Sequence, residues 1–205
     1  MKSWLIQVMD QAFPHPAQQV ACQEYLDAVN ELEVRVERLT GRVRDLVPAR
    51  SMAPVVEALQ AMRGVSLVAA PALVAEVGDM RRFDNPRQLM AYLSLVPSEH
   101  SSGSKRRQGA ITKVGSPLAR RMLVEGAWTY RLPARVSAQM RPRLADLPRE
   151  VREIAWKAQL RLCARYRRLR ASGKRLQVVV TAIAREMAGF AWVIARMVAP
   201  PAGAA

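Results

Sequence analysis

The sequence predicts a mostly α-helical fold, and three observations carry the prediction. Apolar residues recur at spacings of three and four along most of the chain, which places them on one face of a helix. The one β-branched run, Val178-Val179-Val180-Thr181, continues without a break into that helical period. Proline or glycine stands where periodic stretches end, as at Pro48, Gly78 and Gly173. With 205 residues, half of them apolar, the chain can bury the core of one domain, or of one domain plus an extension.

Residues 1–16 read as a linker or the remnant of an upstream segment, and 17–50 as one long helix. Within it Tyr25, Val29, Leu32, Val36, Leu39, Val43 and Leu46 alternate spacings of four and three, a heptad seam. Glu31, Glu33, Arg35, Glu37, Arg38, Arg42 and Arg44 lie between the seam positions as a solvated mixed-charge face. Such a helix either folds back on its own domain or forms a coiled-coil arm that pairs protomers. Both readings fit the pattern.

Residues 51–198 read as a second, helical domain. Val55–Met62 and Leu67–Val77 are helices around the turn Arg63-Gly64-Val65-Ser66, so 55–79 resembles a helix-hairpin-helix. In that motif the turn and the start of the second helix offer backbone N–H groups to a phosphate, which makes Gly64 and Ser66 candidate nucleic-acid contacts. The motif's second glycine is Ser66 here, and a hairpin packed only for stability is the competing reading. Asp84 or Asn85 can cap a helix over Arg87–Leu93. A basic Ser/Gly loop spans 97–121, Pro117–Tyr130 is helical, and Pro133, Pro142 and Pro148 break the following segment. Basic helices cover 149–175, stopped by Gly173. Leu176–Met197 is apolar nearly all round and is expected to be buried. Residues 199–205 read as a disordered tail. Trp156 and Trp192 are expected in the core, as are Cys22 and Cys163, two reduced cysteines too far apart in sequence and context to suggest a disulfide or zinc site.

The net charge of +15 is concentrated. Residues 101–175 hold 20 Lys/Arg against 4 Asp/Glu, leaving 12 basic and 13 acidic groups for the rest of the chain. Basic charge on that scale attracts polyanions, because counterions released from a phosphate backbone favour association. Nucleic acid is the expected partner class, with a membrane surface as the rival. A membrane is disfavoured, since no run of about 18 consecutive apolar residues occurs, and the opening residues lack a small-residue cleavage site. A cytoplasmic location follows as the expectation.

The stretch Ser101–Arg121, SSGSKRRQGAITKVGSPLARR, joins hydroxyls, a flexible backbone and dense positive charge. A serine hydroxyl needs activation to act as a nucleophile, and Gly103 allows a phosphate to approach closely. Lys105, Arg106, Arg107 and Lys113 can offset charge developing on phosphoryl oxygens; Arg120 and Arg121 are further candidate phosphate contacts. His100 reads as a hydrogen-bonding or exposed residue, with a general base as the competing reading. On composition alone Ser-Ser-Gly is ordinary loop sequence.

These residues also carry a family pattern: Leu95-Val96-Pro97-Ser98-Glu99, then Ser102-Gly103, a basic gap, Gly109-Ala110-Ile111-Thr112-Lys113-Val114-Gly115 and Arg120-Arg121-Met122-Leu123. The pattern resembles the C-terminal domain of the DEDD-serine insertion-sequence transposases, the IS-one-ten, IS-one-sixteen and IS-nine-oh-two group related to the pilin-gene invertases. The likeness extends to Arg63-Gly64, Gly78-Asp79 and Arg81-Arg82-Phe83 upstream, and to Ile154–Gln159 and Gly173-Lys174 downstream. It implies a recombinase in which Ser102, ahead of its neighbour Ser101, attacks a DNA phosphodiester. Relatives of full length begin with an RNase H-like acidic domain that holds magnesium, and this chain has no acidic cluster set among strands. The expectation is therefore a truncated or split transposase half, with no metal site or cofactor of its own and inactive without a separate acidic domain. Magnesium is expected only with that domain. A guide RNA and a homo-oligomer formed through the heptad helix are further partners that the resemblance admits. A non-catalytic nucleic-acid-binding module is the alternative function. Ser94 and Ser116 stand where the family pattern has glycine and asparagine.

Overall fold

A computed structural model of the chain describes residues 8, 11, 13–99 and 108–198. The described residues are mostly helical, with eight α-helices and one small two-stranded sheet. The chain divides into two compact units, Met1–Asp45 and Leu46–Ala205.

The first unit is dominated by α1, Pro16–Leu46, a helix of 31 residues and thus about 46 Å long. A 3₁₀ turn, Val47–Ala49, follows it, with Pro48 in place to prevent the helix continuing. Leu26 is the one buried residue on α1, and the seam is open: Tyr25 is 76% and Leu32 58% exposed. Cys22, expected in the core, is only half-buried because it sits on this arm, whereas Cys163 is buried.

The second unit is built around its last helix. Its helices are α2 (Ala53–Leu59), α3 (Ala69–Val77), α4 (Pro86–Tyr92), α5 (Pro117–Ala127), α6 (Arg141–Ala145), α7 (Arg149–Ala171) and α8 (Leu176–Val198). Asn85, not Asp84, caps α4: its side-chain oxygen accepts from the Arg87 and Gln88 N–H groups. A 3₁₀ turn, Trp128–Arg131, takes over where α5 was expected to run on to Tyr130. It turns the Tyr130 side chain inward, where the phenol donates to the Arg63 carbonyl at 2.8 Å. Burial holds that phenol protonated well above the ordinary tyrosine range. Gly173 stops α7 as expected, with Lys174 N–H bonded to Leu169 O and Gly173 N–H to Arg170 O.

Helix α8 packs against α2, α4, α5 and α7 and supplies Val179, Val180, Ile183, Ala184, Met187, Ala188, Ala191, Ile194 and Ala195 to the core. By length and composition it could cross a bilayer, yet these contacts make it the central core helix. It is not buried all round. Val178 is 55% and Met197 47% exposed, and each stands in an end turn of the helix, where it runs past its neighbours. Arg161 and Arg165 of α7 both pair with Glu186 on α8, at 3.0 and 2.6 Å. Trp192 behaves as a core residue whose indole N–H donates to Phe83 O at 3.0 Å. Trp156 departs from expectation and is 41% exposed, since the buried stripe of α7 runs through Val151, Ala155, Ala158, Leu162 and Tyr166.

The basic loop also departs from its expected form. Its first residues pair with its middle as a hairpin: β1 (Pro97–Glu99) lies antiparallel to β2 (Gln108–Ile111), with Pro97 opposite Ile111 and Glu99 opposite Gln108. The register is irregular, since β2 covers one more residue than β1 between the same partners. The strands are too short to show alternation in the sequence.

Candidate nucleic-acid interface

The hairpin positions the span that carries the predicted nucleophile. Glu99 and Gln108 are cross-strand partners, so the described residues on either side of 100–107 lie next to each other. Ser102, Lys105, Arg106 and Arg107 belong to that span and lie outside the described residues, as do Ser101 and His100. Gly109 keeps the two strands close, because a Cβ there would meet Ser98 Oγ at 2.5 Å. Thr112 N–H bonds to Val96 O at 3.3 Å and carries the pairing one step beyond the strands.

Behind the hairpin the chain is held against the end of α4. Leu95 N–H bonds to Met90 O and Ser94 N–H to Ala91 O, the pairing that ends a helix when the next residue is left-handed. That residue is Ser94, at φ +53°, where glycine is the common choice. A serine costs backbone strain here, and its compensation is visible: the buried Ser94 hydroxyl accepts the Gly115 N–H at 2.5 Å. Gly115 itself sits so close under the Tyr92 carbonyl that a Cβ has no room. Ser116 then caps α5, accepting from Ala119 N–H at 3.2 Å and donating to Glu76 Oε2 at 2.6 Å. Both departures from the family pattern thus have structural work. Ser94→Ala should cost about 2 kcal/mol, since it keeps the strain and orphans the buried Gly115 N–H. Ser94→Gly should cost about 1 kcal/mol, because relief of the strain offsets part of the lost bond. Denaturant midpoints measure both, and equal stability of Ser94→Ala and the parent would contradict the brace.

The remaining candidates separate into two groups. Lys113 is exposed, at φ +59°, a left-handed conformation of the kind that strain concentrates at functional sites. Arg120 folds back so that Nη1 donates to Gly115 O at 3.3 Å, and Arg121 pairs with Glu125 at 2.6 Å on an exposed face. These three lie near the N-terminal end of α5. Gly64 lies against Gly126, at the other end of α5 and ten residues from Ser116, or about 15 Å along the helix. Ser66 is occupied as a cap, its hydroxyl accepting from Ala69 N–H at 3.1 Å. The Arg63 guanidinium donates to Pro133 O at 2.8 Å. The hairpin turn is therefore locked to α5 and the segment after it, and stands apart from the serine-bearing span.

One charged residue escaped the sequence reading. Arg185, inside the apolar period of α8, lines a cleft of about 380 Å³ between α8 and the β-hairpin, together with Leu95, Pro97, Ile111, Val178 and Thr181. An arginine interrupting an otherwise apolar core helix is a signal that could have marked it. Among the described residues no three His, Cys, Asp or Glu side chains gather in a way that could hold a metal ion. Burial pushes the Cys163 thiol up, with Arg63 and Arg167 opposing, which leaves it an unreactive core group.

Comparison with known proteins adds to this geometry. Residues 56–143 match the sequence profile described as "Transposase IS116/IS110/IS902 family". The chain is 48% identical over 199 residues to "Putative transposase y4qE" of Sinorhizobium fredii, covering 95% of this chain and 48% of that relative. It is 41% identical over 69 residues to the transposase for insertion sequence element IS1111A of Coxiella burnetii, which covers 34% of this chain and 19% of the relative. With the transposase for insertion sequence element IS1533 of Leptospira borgpetersenii it shares 26% identity over 154 residues, 75% of this chain and 44% of the relative. The chain thus spans about half the length, or less, of these curated relatives.

Proposed function

Because the chain belongs to the IS116/IS110/IS902 family of transposases, we propose that its basic third engages DNA and that Ser102 supplies the nucleophile for strand exchange. The observation that carries the proposal is the hairpin. It pairs Glu99 with Gln108, so the two described ends of the stretch whose sequence holds Ser102, Lys105, Arg106 and Arg107 lie side by side on a braced foot.

In the proposed reaction Ser102 Oγ bonds to phosphorus of a DNA phosphodiester and loses its proton to a base. One sugar oxygen leaves and takes up a proton. The serine phosphodiester preserves the bond energy, so the freed hydroxyl of a second strand can attack it and release the enzyme. Lys105, Arg106, Arg107 and Lys113 lower the barrier by offsetting negative charge on the phosphoryl oxygens. Arg120 supports the backbone at Gly115, and Arg121 adds positive field at the surface. Gly64 and Ser66, on the separate turn, are proposed as a distal phosphate contact made through backbone N–H groups.

The described residues do not fit a magnesium ion, lacking any acidic cluster, and no step here passes through one. An acidic RNase H-like domain, in the same polypeptide or another, is the proposed source of metal chemistry. A second copy joined through α1 and a guide RNA on the basic surface complete the proposed assembly. A second reading, carried by the same concentrated positive charge, is a nucleic-acid-binding module without chemistry.

Two measurements separate these readings. Supplied with an acidic domain and cognate DNA, the parent should form a covalent protein–DNA adduct that Ser102→Ala does not. An adduct that survives Ser102→Ala removes this serine as nucleophile. DNA affinity should fall roughly a thousandfold between about 50 and 200 mM salt, as expected when about six phosphates are neutralised. A flat dependence would remove both readings.

A further inference from the structure

The cleft between the β-hairpin and α8 is not used by the strand-exchange proposal, and its chemistry is specific. One wall is Pro97, Gly109, Ala110 and Ile111; the other is Gln177, Val178, Thr181, Ala182 and Arg185, with Leu95 as the floor. The lining is predominantly apolar and includes no carboxylate. Its volume, about 380 Å³, falls in the range of small-ligand sites, roughly 300–1,000 Å³. Small residues on both sides, Gly109, Ala110 and Ala182, leave room for a flat group.

Arg185 supplies the polar handle. It is half-buried, and among the described residues it takes no hydrogen bond or ion pair, although its neighbour Glu186 is turned to Arg161 and Arg165 of α7. A guanidinium held beside an apolar slot with no counter-ion attracts an anion. The Thr181 hydroxyl is committed to the Gln177 carbonyl at 2.8 Å, which leaves the exposed Gln177 amide as a group able to read a polar edge.

An apolar slot, an unpaired guanidinium and an amide at the rim suit a nucleotide: base in the slot, phosphate on the arginine. The strand forming the outer wall, β2, follows directly in sequence on the basic residues Lys105, Arg106 and Arg107, which ties the cleft to the most cationic stretch of the chain. Stacked bases of a duplex cannot enter. A base must be unpaired or swung out to do so. We propose that this cleft receives one unstacked nucleobase of a single-stranded segment, with Arg185 on the adjoining phosphate. The proposal rests on the nucleic-acid reading above and extends it to the strand state of the substrate.

The test uses the full chain and two probes of one sequence, a single strand and a duplex, each carrying an adenine analogue whose emission is quenched by stacking. Binding the single strand should raise the emission. Val178→Glu puts a carboxylate at an exposed position on the cleft wall, Arg185→Ala removes the cation, and Ala182→Trp fills the slot. Each should weaken single-strand binding about tenfold, while Val178→Glu and Ala182→Trp also abolish the emission rise. Duplex affinity should stay within about twofold of the parent, as the cleft admits no stacked base. Should Ala182→Trp fail to fold, Val178→Glu, at a site more than half exposed, carries the same test. Single-strand binding without an emission rise, or unchanged in all three variants, overturns the cleft proposal and leaves the DNA reading standing. A change of oligomeric state in Val178→Glu with unaltered binding assigns the cleft to a second copy and also overturns it. A parent chain that binds neither probe removes both proposals together.

Discussion

Gly126→Ala should destabilise the second unit by about 3 kcal/mol, although alanine is the better helix former by about 1 kcal/mol. A Cβ at Gly126 would lie 2.5 Å from Gly64 O and 3.1 Å from Gly64 C, and backbone cannot step aside as a side chain can. The nearby Met187 Cε, at 3.1 Å, can move and is not the obstacle. Gly64→Ala should cost at least as much, because its Cβ would meet the Gly126 carbonyl from the other side and its φ of +84° disfavours any side chain. For a unit of this size the loss corresponds to a fall in Tm of about 10 °C. The double variant should not show the sum, since each substitution spoils the same crossing. Gly41→Ala is the control. It lies within α1 with nothing inside 4 Å of its Cβ position, so alanine should be neutral or stabilise by up to about 1 kcal/mol. Thermal unfolding of the four variants decides the matter; a Gly126→Ala protein as stable as the parent would mean that the turn and α5 do not cross this closely.

Leu32→Glu with Leu39→Glu should abolish self-association through α1 while leaving the second unit folded. Leu32, Val36 and Leu39 are successive seam residues and all are exposed, so in the proposed pair they face a second copy of the helix. Burying a leucine contributes about 2 kcal/mol. Four leucines lost from a symmetric dimer remove about 8 kcal/mol, a weakening of at least ten-thousandfold. Charge repulsion between the introduced carboxylates adds to this. Sedimentation of the parent should show a dimer or larger species, and of the variant a monomer with the same thermal transition for residues 46–198. A parent that sediments as a monomer at all concentrations would end the pairing proposal and leave the seam unexplained.

The parts of the fold that were legible in the sequence are those settled by local periodicity. The long helix α1, the helix α7 with its Gly173 stop and the apolar run of α8 each depend on residues within one or two turns of one another. The β-hairpin was illegible for the opposite reason. Pro97-Ser98-Glu99 and Gln108-Gly109-Ala110-Ile111 show no alternation, and they become strands only by pairing across the span between them. Ser94 stands where the family pattern has glycine. Its gain, a bond to Gly115 N–H, comes from a residue 21 positions away.

The candidate site divides in the same way. Charge density in 101–175 and the family pattern around Ser102 can be read along the chain, because both are matters of composition and order. Their spatial grouping cannot. How far the Gly64–Ser66 turn stands from the basic loop has no signal in the sequence, and the Gly64–Gly126 crossing sets it at the far end of α5 from Lys113 and Ser116. Trp156 seemed a core residue by its helical spacing, and a small rotation of the buried stripe leaves it exposed.

By itself, then, the sequence determined a helical chain with an apolar seam, a core helix and a concentrated positive charge, since helix period and charge are properties of neighbouring residues. Only the tertiary structure decided that β1 and β2 pair as a hairpin with Ser94 bracing its base, that two glycines let α5 cross the turn after α2, and that Arg185 opens into a cleft. Each of those depends on a close approach between segments distant in sequence, and such contacts form only when the core around α8 has brought the segments together.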